Sequence, residues 1–316
     1  MALLRLSADT AVVDSWQTKQ NRDHTLVTAD AVASRLPELL IAADRIASTI
    51  VSGQHGRRRV GTGENFWQFR QFNSGDNSTR VDWRRSARSD AMFVREHEWD
   101  TPQVVWLWCD LSMSMRVRSS LVEHSKLERA LLLLFAAARL LTNAGERVGL
   151  LGLSRPVMGR HAPYLLAEHL ARHLGATSAP DNALPRVDLQ RNSDVLLFSD
   201  FITDSPDLHP GIAQLDAAGT RGHLIQLLDP LEQTFPFRGR LEFQDPETGE
   251  RLIAGKAQDW GERYRQLIFA LQDELKDTCR RRGWTYLLHH TDKPAAAALL
   301  NLHLDLTGQP ANTGAL

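Results

Sequence analysis

The amino-acid sequence predicts an α/β fold with a doubly wound, mostly parallel sheet. The first observation is a short apolar run from Val104 to Cys109, bounded by Pro102 and Asp110, which is typical of a buried strand. The second is the regular alternation of strand-like runs with segments of helical periodicity after this point. Strands that are separated by helices need crossover connections, and such connections produce a parallel sheet with helices on both faces.

The elements predicted after the first strand follow one another without a break. In order, they are a helix at Glu123–Thr142, a strand at Val148–Leu153, a helix at Pro163–Leu174, a strand at Val195–Phe198, a helix at Leu208–Ala217, a strand at His223–Leu228, a helix at Trp260–Arg282 and a strand at Trp284–Leu288. One insertion interrupts this pattern. Two short alternating runs around a Pro/Gly turn in Arg238–Ala254 predict a β-hairpin.

The residues before the first strand predict an N-terminal module made of a helix and a strap. Apolar positions at helical spacing predict one amphipathic helix between Asp30 and Ser52. We use the name strap for Gly61–Arg88, where charged and aromatic side chains alternate in a way that suits a packed, ion-paired segment. We therefore expect three parts: the helix and strap in residues 1–100, an α/β domain in residues 101–306, and a flexible tail in residues 307–316.

The composition and the net charge limit which partners and which cellular locations are expected. The chain of 316 residues has 37 Lys and Arg against 38 Asp and Glu, so no overall field attracts nucleic acid or an anionic membrane. The first 20 residues lack the pattern of a secretory signal, and no apolar run reaches the length of about 20 residues that a membrane span needs. With only two cysteines, a disulfide framework is not expected. The sequence therefore predicts a cytoplasmic protein with no nucleic-acid partner and no direct membrane insertion.

Hard oxygen donors follow two of the predicted strands at the point where each ends. Asp110, Ser112 and Ser114 come directly after the first strand, and Asp200 follows the strand that ends at Phe198. Ligands of open α/β sheets bind beyond the carboxyl ends of the strands. Carboxylate and hydroxyl oxygens at this edge suit Mg²⁺ or Mn²⁺. The alternative is that Ser112 or Ser114 only caps the helix that follows.

The motif Asp110-x-Ser112-x-Ser114 after a buried strand resembles the metal-ion-dependent adhesion site of von Willebrand factor A domains. The resemblance implies a von Willebrand factor A-like, Rossmann-like fold. It also implies that Ser112, Ser114 and Thr177 are ligands of one Mg²⁺ or Mn²⁺ ion. Asp110 and Asp200 then act mainly through bound water, and an acidic side chain of a protein partner fills the vacant position on the metal.

A second resemblance begins upstream and is carried by the strap. Its motifs are, in order, Gly61-Thr62-Gly63, Phe66 to Arg70, Gly75-Asp76, Arg80 to Trp83 and Ser86 to Arg88. Together with Asp229-Pro230-x-Glu232, they resemble the signature of bacterial domain-of-unknown-function family 58 from about Gly53 to His303. The resemblance implies that a MoxR-type AAA+ ATPase is a partner.

The sequence offers no positive evidence for catalysis. It has no Walker A loop, no G-x-S-x-G elbow and no dinucleotide fingerprint. His169 and His173 are four residues apart on a predicted helix, but no third zinc ligand is near them in the sequence. We therefore expect a non-enzymatic, metal-dependent protein-binding module, an adaptor or co-chaperone in the assembly or maturation of other proteins. A metal-dependent hydrolase that uses the same acidic cluster and a metal-free scaffold are the alternatives.

Overall fold

The computed structural model of the protein describes residues 24–54, 66–72, 81–88, 91–97, 102–176, 183–202, 208–245 and 249–307. Its contacts divide the chain into two compact units. One unit comprises Met1–Ser52 and Gln103–Leu316, and the other comprises Gly53–Pro102. The tail predicted at residues 307–316 lies outside the described residues apart from Thr307.

The helices and strands are, in chain order, β1 (His24–Leu26), α1 (Ala29–Gln54), β2 (Phe66–Gln71), α2 (Trp83–Ser86), β3 (Phe93–His97), β4 (Val104–Cys109), β5 (Val117–Ser119), α3 (Lys126–Asn143), β6 (Arg147–Leu150), α4 (Ala162–Ala176), β7 (Asp194–Ser199), α5 (Leu208–Ala217), β8 (Arg221–Leu228), α6 (Pro230–Thr234), β9 (Leu241–Gln244), β10 (Arg251–Ala254), α7 (Gly261–Arg282), β11 (Thr285–His290) and α8 (Ala295–Leu306). Every helix and strand predicted after residue 100 is present, with ends that differ from the prediction by a few residues at most.

The central sheet has five strands in the order β11-β8-β7-β4-β6, and all neighbouring pairs are parallel. This result confirms the predicted α/β class and the parallel sheet. From β4 the chain crosses to β6 on one side, and the next strand of the sheet, β7, lies on the other side of β4. The strand order therefore reverses between β4 and β7. Because Cys109 pairs with Phe198, these two strands also end side by side.

Helices cover both faces of the sheet, as predicted. On β7, Leu196 and Phe198 point into a core shared with α1, α3, α4 and α8. Val195 and Leu197 point the other way, into a core shared with α5 and α7. The period of two along a strand places successive side chains on opposite faces, so a strand covered on both sides must be apolar throughout.

The sequence prediction grouped α1 with the strap, whereas the structure groups it with the sheet. The apolar stripe of α1 includes Val32, Leu36 and Leu39, which are buried in the same core as α3. Arg35 pairs with Glu128 of α3 at 2.6 Å, which joins the polar margin of α1 to the start of α3. Burial of this stripe stabilises α1 against the α/β unit.

The smaller unit contains β2 and β3, which pair as an antiparallel hairpin, and the short helix α2. The Ser86 hydroxyl accepts a hydrogen bond from the Phe93 backbone N–H at 2.9 Å and joins α2 to β3. Residues 73–80 of the strap, with the predicted ion-pairing residues Asp76 and Arg80, lie outside the described residues.

Several elements that the sequence did not predict surround the carboxyl end of the sheet. β1 pairs with β5, and α6 follows β8 directly. A capping box starts α6: the Asp229 side chain accepts the Leu231 backbone N–H, and the Glu232 side chain accepts the Asp229 backbone N–H.

The predicted hairpin is present as the antiparallel pair β9 and β10. Within the described residues, none of the helices combines the length and apolar character required to cross a bilayer.

Candidate functional site

The candidate site lies at the reversal of strand order between β4 and β7. Asp110 follows β4 and Asp200 follows β7, and each side chain is only 1% exposed. The Asp110 backbone N–H donates to the Phe198 carbonyl at 2.9 Å, so the two strand ends are joined by one more hydrogen bond beyond the ladder. Asp110 and Asp200, two of the predicted site residues, therefore come together at the place where open α/β sheets bind ligands.

Asp110 shapes the loop that carries the two serines. Its Oδ1 accepts the Ser112 backbone N–H at 2.9 Å, and its Oδ2 accepts the Ser199 hydroxyl at 2.6 Å. An aspartate that binds the backbone two residues ahead makes a tight turn. The turn places the hydroxyls of Ser112 and Ser114 3.1 Å apart, and Ser114 Oγ donates to Asp200 Oδ2 at 3.0 Å.

Neither serine caps the helix that follows. Ser125 caps α3, where its side chain and that of Glu128 form a reciprocal capping box. The 3₁₀ turn Ser114–Arg116 has no side-chain cap. The helix-capping alternative for Ser112 and Ser114 is therefore wrong, and their hydroxyls contact each other and Asp200 instead. Thr177, the predicted third hydroxyl, lies outside the described residues.

The turn after β7 is held in a strained conformation. Phe201 has a φ of 54°, which is unusual for a residue with a large side chain. Its backbone N–H donates to Ser199 Oγ at 2.9 Å, and the Ile202 N–H donates to Asp200 Oδ1 at 3.0 Å. The Gln226 side chain of β8 donates to the Asp200 carbonyl at 2.8 Å. These contacts fix the direction of the Asp200 carboxylate.

A buried lysine that the sequence reasoning missed stands beside Asp200. The Lys126 ammonium is bonded to Asp200 Oδ2 at 2.7 Å and also to Glu232 of α6, and its side chain is 1% exposed. A positive charge in the first turn of a helix is unfavourable unless it is paired, because the helix dipole is positive there. The position of Lys126 in the first turn of α3 is therefore the feature of the sequence that could have indicated a paired lysine.

Glu232 and Asp229 connect this lysine to the neighbouring elements. Glu232 Oε2 accepts the Asp229 backbone N–H at 2.8 Å. Asp229 in turn accepts the backbone N–H groups of Leu231 and of Ser119 in β5, both at 3.0 Å. The sequence contains the Asp-Pro-x-Glu pattern of a helix start at this point, but no local pattern indicates that Glu232 reaches a lysine on α3.

Residues 68–272 match the family described as "Protein of unknown function DUF58". The chain belongs to the DUF58 family. Uncharacterized proteins of Mycobacterium tuberculosis and Mycobacterium bovis are each 26% identical to it over 236 residues, covering 69% of this chain and 72% of the relative.

Two solved structures show a weak likeness to this DUF58 protein. One is an aerotolerance-related membrane protein from Bacteroides fragilis, and the other is the conserved hypothetical protein BatB from Bacteroides thetaiotaomicron. Each is 12% identical, covers 66% of this chain and 100% of its own, and has a TM-score of 0.37. At this TM-score the likeness carries no argument about the site.

The site holds more negative than positive charge. Burial raises the pKa of Asp110 to about 6, and the neighbouring charge of Asp200 adds to this effect. Burial also raises the pKa of Glu232 to about 7, although Lys126 acts in the opposite direction. Burial likewise opposes ionisation of Asp200, but the Lys126 ammonium outweighs it and holds the pKa of Asp200 below its usual range. A cation at this site would relieve the repulsion.

The spacing of the oxygens in this DUF58 site is compatible with a small divalent cation, and it equally matches the hydrogen bonds that the same atoms form. In an octahedral shell with bonds of about 2.1 Å, neighbouring oxygens are roughly 3 Å apart. Ser112 Oγ lies 3.1 Å from Ser114 Oγ, which lies 3.0 Å from Asp200 Oδ2. The part of the chain that the structure describes contains no group of three His, Cys, Asp or Glu side chains placed to hold a metal, and this includes His169 and His173 on α4.

Proposed function

We propose that this DUF58 protein is a metal-dependent protein-interaction module. One Mg²⁺ or Mn²⁺ ion would bind the hydroxyls of Ser112 and Ser114, and an acidic side chain of the partner would complete its shell. The observation that carries the proposal is the row of oxygens spaced by 3.1 and 3.0 Å at the reversal of strand order. The surplus of buried negative charge supports it.

The two aspartates would have supporting roles. Asp110 holds the loop in the conformation that directs both serines to one point, through its bonds to Ser112 and Ser199. Asp200 accepts the Ser114 hydroxyl and would hold a water or the cation itself. A bound cation supplies an electron-pair acceptor for a partner's carboxylate. Thr177 stays in the proposal as a third hydroxyl, on the resemblance alone.

The donor set favours binding over hydrolysis. Hydrolysis with two metals needs several carboxylates that converge on the ions. This site has two carboxylates beside the serines, and one of them is already paired with Lys126. A non-enzymatic role therefore fits the residues better than the hydrolase alternative.

A MoxR-type AAA+ ATPase is the partner that the family resemblance suggests, and the protein would act as an adaptor or co-chaperone in assembly or maturation. A purified ATPase of this type should be retained by the immobilised, Mg²⁺-loaded protein and released by EDTA. Retention that persists in EDTA would contradict the metal dependence of the interaction.

A second candidate function is a metal-free scaffold, and one observation favours it. The Lys126 ammonium already places a positive charge against Asp200, within the cluster that would hold the metal. In this alternative the lysine is the permanent counter-ion of the cluster, and no divalent cation binds there.

Calorimetric titration distinguishes the two candidates. Mn²⁺ titrated into the chelator-treated full chain should bind with one site per chain, and Ser112→Ala and Ser114→Ala should each weaken binding about tenfold or more, because each removes one ligand. Ser193→Ala is the matched control, since Ser193 is also buried but precedes the amino end of β7. Absence of Mn²⁺ binding by the folded wild-type protein would favour the scaffold.

A further inference from the structure

Arg116 is a buried arginine that lacks a counter-ion among the described residues. It ends the 3₁₀ turn that begins at Ser114, and only 7% of it is exposed. Its Nη2 donates to the Leu111 carbonyl at 3.3 Å, and its Nε has no hydrogen-bond partner. A guanidinium has five N–H donors, so most of its capacity is unused within the described part of the chain.

Three other arginines of the same unit are paired, whereas Arg129 of α3 has an unpartnered Nε and donates to the Thr291 carbonyl at 2.8 Å. Arg35, Arg139 and Arg221 form ion pairs with Glu128, Asp44 and Asp194, at 2.6, 2.6 and 2.8 Å. Removing a guanidinium from water without a counter-ion is unfavourable, because the lost hydration of the charge is not replaced. Buried polar groups without partners are rare, and each one requires an explanation. For Arg116 an anion would both neutralise the charge and accept the free N–H groups.

The position of Arg116 relates that anion to the candidate site. Its side chain lies against the Leu111 carbonyl, in the loop between Asp110 and Ser112. Asp110 fixes the backbone of the same loop, so the Leu111 carbonyl that accepts from the guanidinium is held in place one residue before Ser112. A planar guanidinium binds carboxylates through two parallel hydrogen bonds.

We propose that Arg116 binds a carboxylate of the partner protein, next to the one that would complete the shell of the cation. This inference rests on the proposed function for its partner, but it concerns a different group of the site. The surface would then have two binding points, because the metal ion would bind one acidic side chain of the partner and Arg116 would bind a neighbouring one. Partners with consecutive or nearby acidic residues would then be preferred over partners with one.

The first test is the stability of the isolated full chain. If Arg116 lacks a counter-ion until a partner binds, Arg116→Met removes an unpaired buried charge and should raise the Tm by a few degrees. An arginine with a structural role would give the opposite result. A fall in Tm for both Arg116→Met and Arg116→Gln would overturn the proposal.

The second test measures binding of an acidic probe. Fluorescein-labelled hexaglutamate should bind the wild-type protein, and Arg116→Gln should raise its Kd about tenfold, the loss expected for one charged hydrogen-bonded contact. Arg118→Gln is the matched control, because Arg118 follows two residues later and also donates to a backbone carbonyl, that of Glu123 at 2.9 Å. It loses the same charge and should change the Kd less than twofold.

Titrations with Mn²⁺ and with EDTA separate this inference from the proposed function. If the metal does not bind, the proposed function fails, yet the dependence on Arg116 should persist in EDTA. If the metal binds but Arg116→Gln and Arg118→Gln behave alike, the arginine proposal fails alone. No hexaglutamate binding by the wild-type protein in either condition would also overturn it.

Discussion

Lys126→Met is expected to lower the free energy of unfolding by about 3 to 5 kcal/mol, the range for breaking a buried ion pair from one side. The ammonium is bonded to both Asp200 and Glu232, and all three side chains are almost fully buried. Methionine fills a similar volume but leaves two carboxylates without their counter-ion. Urea denaturation followed by circular dichroism measures the change.

Two further variants identify the cause of that loss. Lys276→Met removes a lysine whose partner, Asp273, is exposed on α7, and it should cost less than about 1 kcal/mol. Lys126→Met combined with Glu232→Gln should recover part of the stability, because one of the two stranded charges is neutralised. If Lys126→Met is as stable as Lys276→Met, the buried network does not contribute as described.

Asp110→Asn is expected to become more stable relative to the wild type as the pH rises. Asp110 has a pKa of about 6 in the folded protein against 3.8 when unperturbed, with burial as the main cause. The folded state therefore retains a proton that the unfolded state loses, and wild-type stability falls as the pH rises through this window. The loss is complete above about pH 7 and amounts to roughly 3 kcal/mol, since each pKa unit corresponds to about 1.4 kcal/mol.

The comparison is made on chelator-treated protein from pH 4 to pH 8. Asp273→Asn, at an exposed position of α7, controls for the change in net charge. The difference in unfolding free energy between Asp110→Asn and the wild type should increase up to about pH 7 and then stay constant. Mg²⁺ should reduce the difference at pH 8 by stabilising the wild type. A difference that does not vary with pH contradicts the described electrostatics.

Most of the sheet was predictable because its signal is local. The apolar runs at β4 and β7 are long enough to identify buried strands, and the helices between them have clear periodicity. The short elements β1, β5 and α6 were not predicted. β1 and β5 have three residues each, and among the described strands each pairs with the other alone, so tertiary contacts rather than sequence pattern define them.

The site was predictable to the extent that it follows strand ends. Asp110 and Asp200 follow from the rule that parallel strands end at one edge, and the turn made by Asp110 brings in the two serines. Lys126 and Arg116 were not predicted as site residues, and Glu232 was recognised only as part of a motif. The contacts of Lys126 with Asp200 and Glu232 join elements distant in the sequence, and the one local sign of them is a lysine in the first turn of α3. The unpartnered state of Arg116 has no local pattern.

The most direct test of the central claim is anomalous diffraction from crystals of the protein grown with Mn²⁺. The proposal predicts one anomalous peak within about 2.3 Å of the hydroxyl oxygens of Ser112 and Ser114. The peak should be absent from crystals of the Ser112→Ala variant. Crystals of folded wild-type protein with no peak at these serines, and with the Lys126 ammonium still bonded to Asp200, would contradict the claim of a metal site.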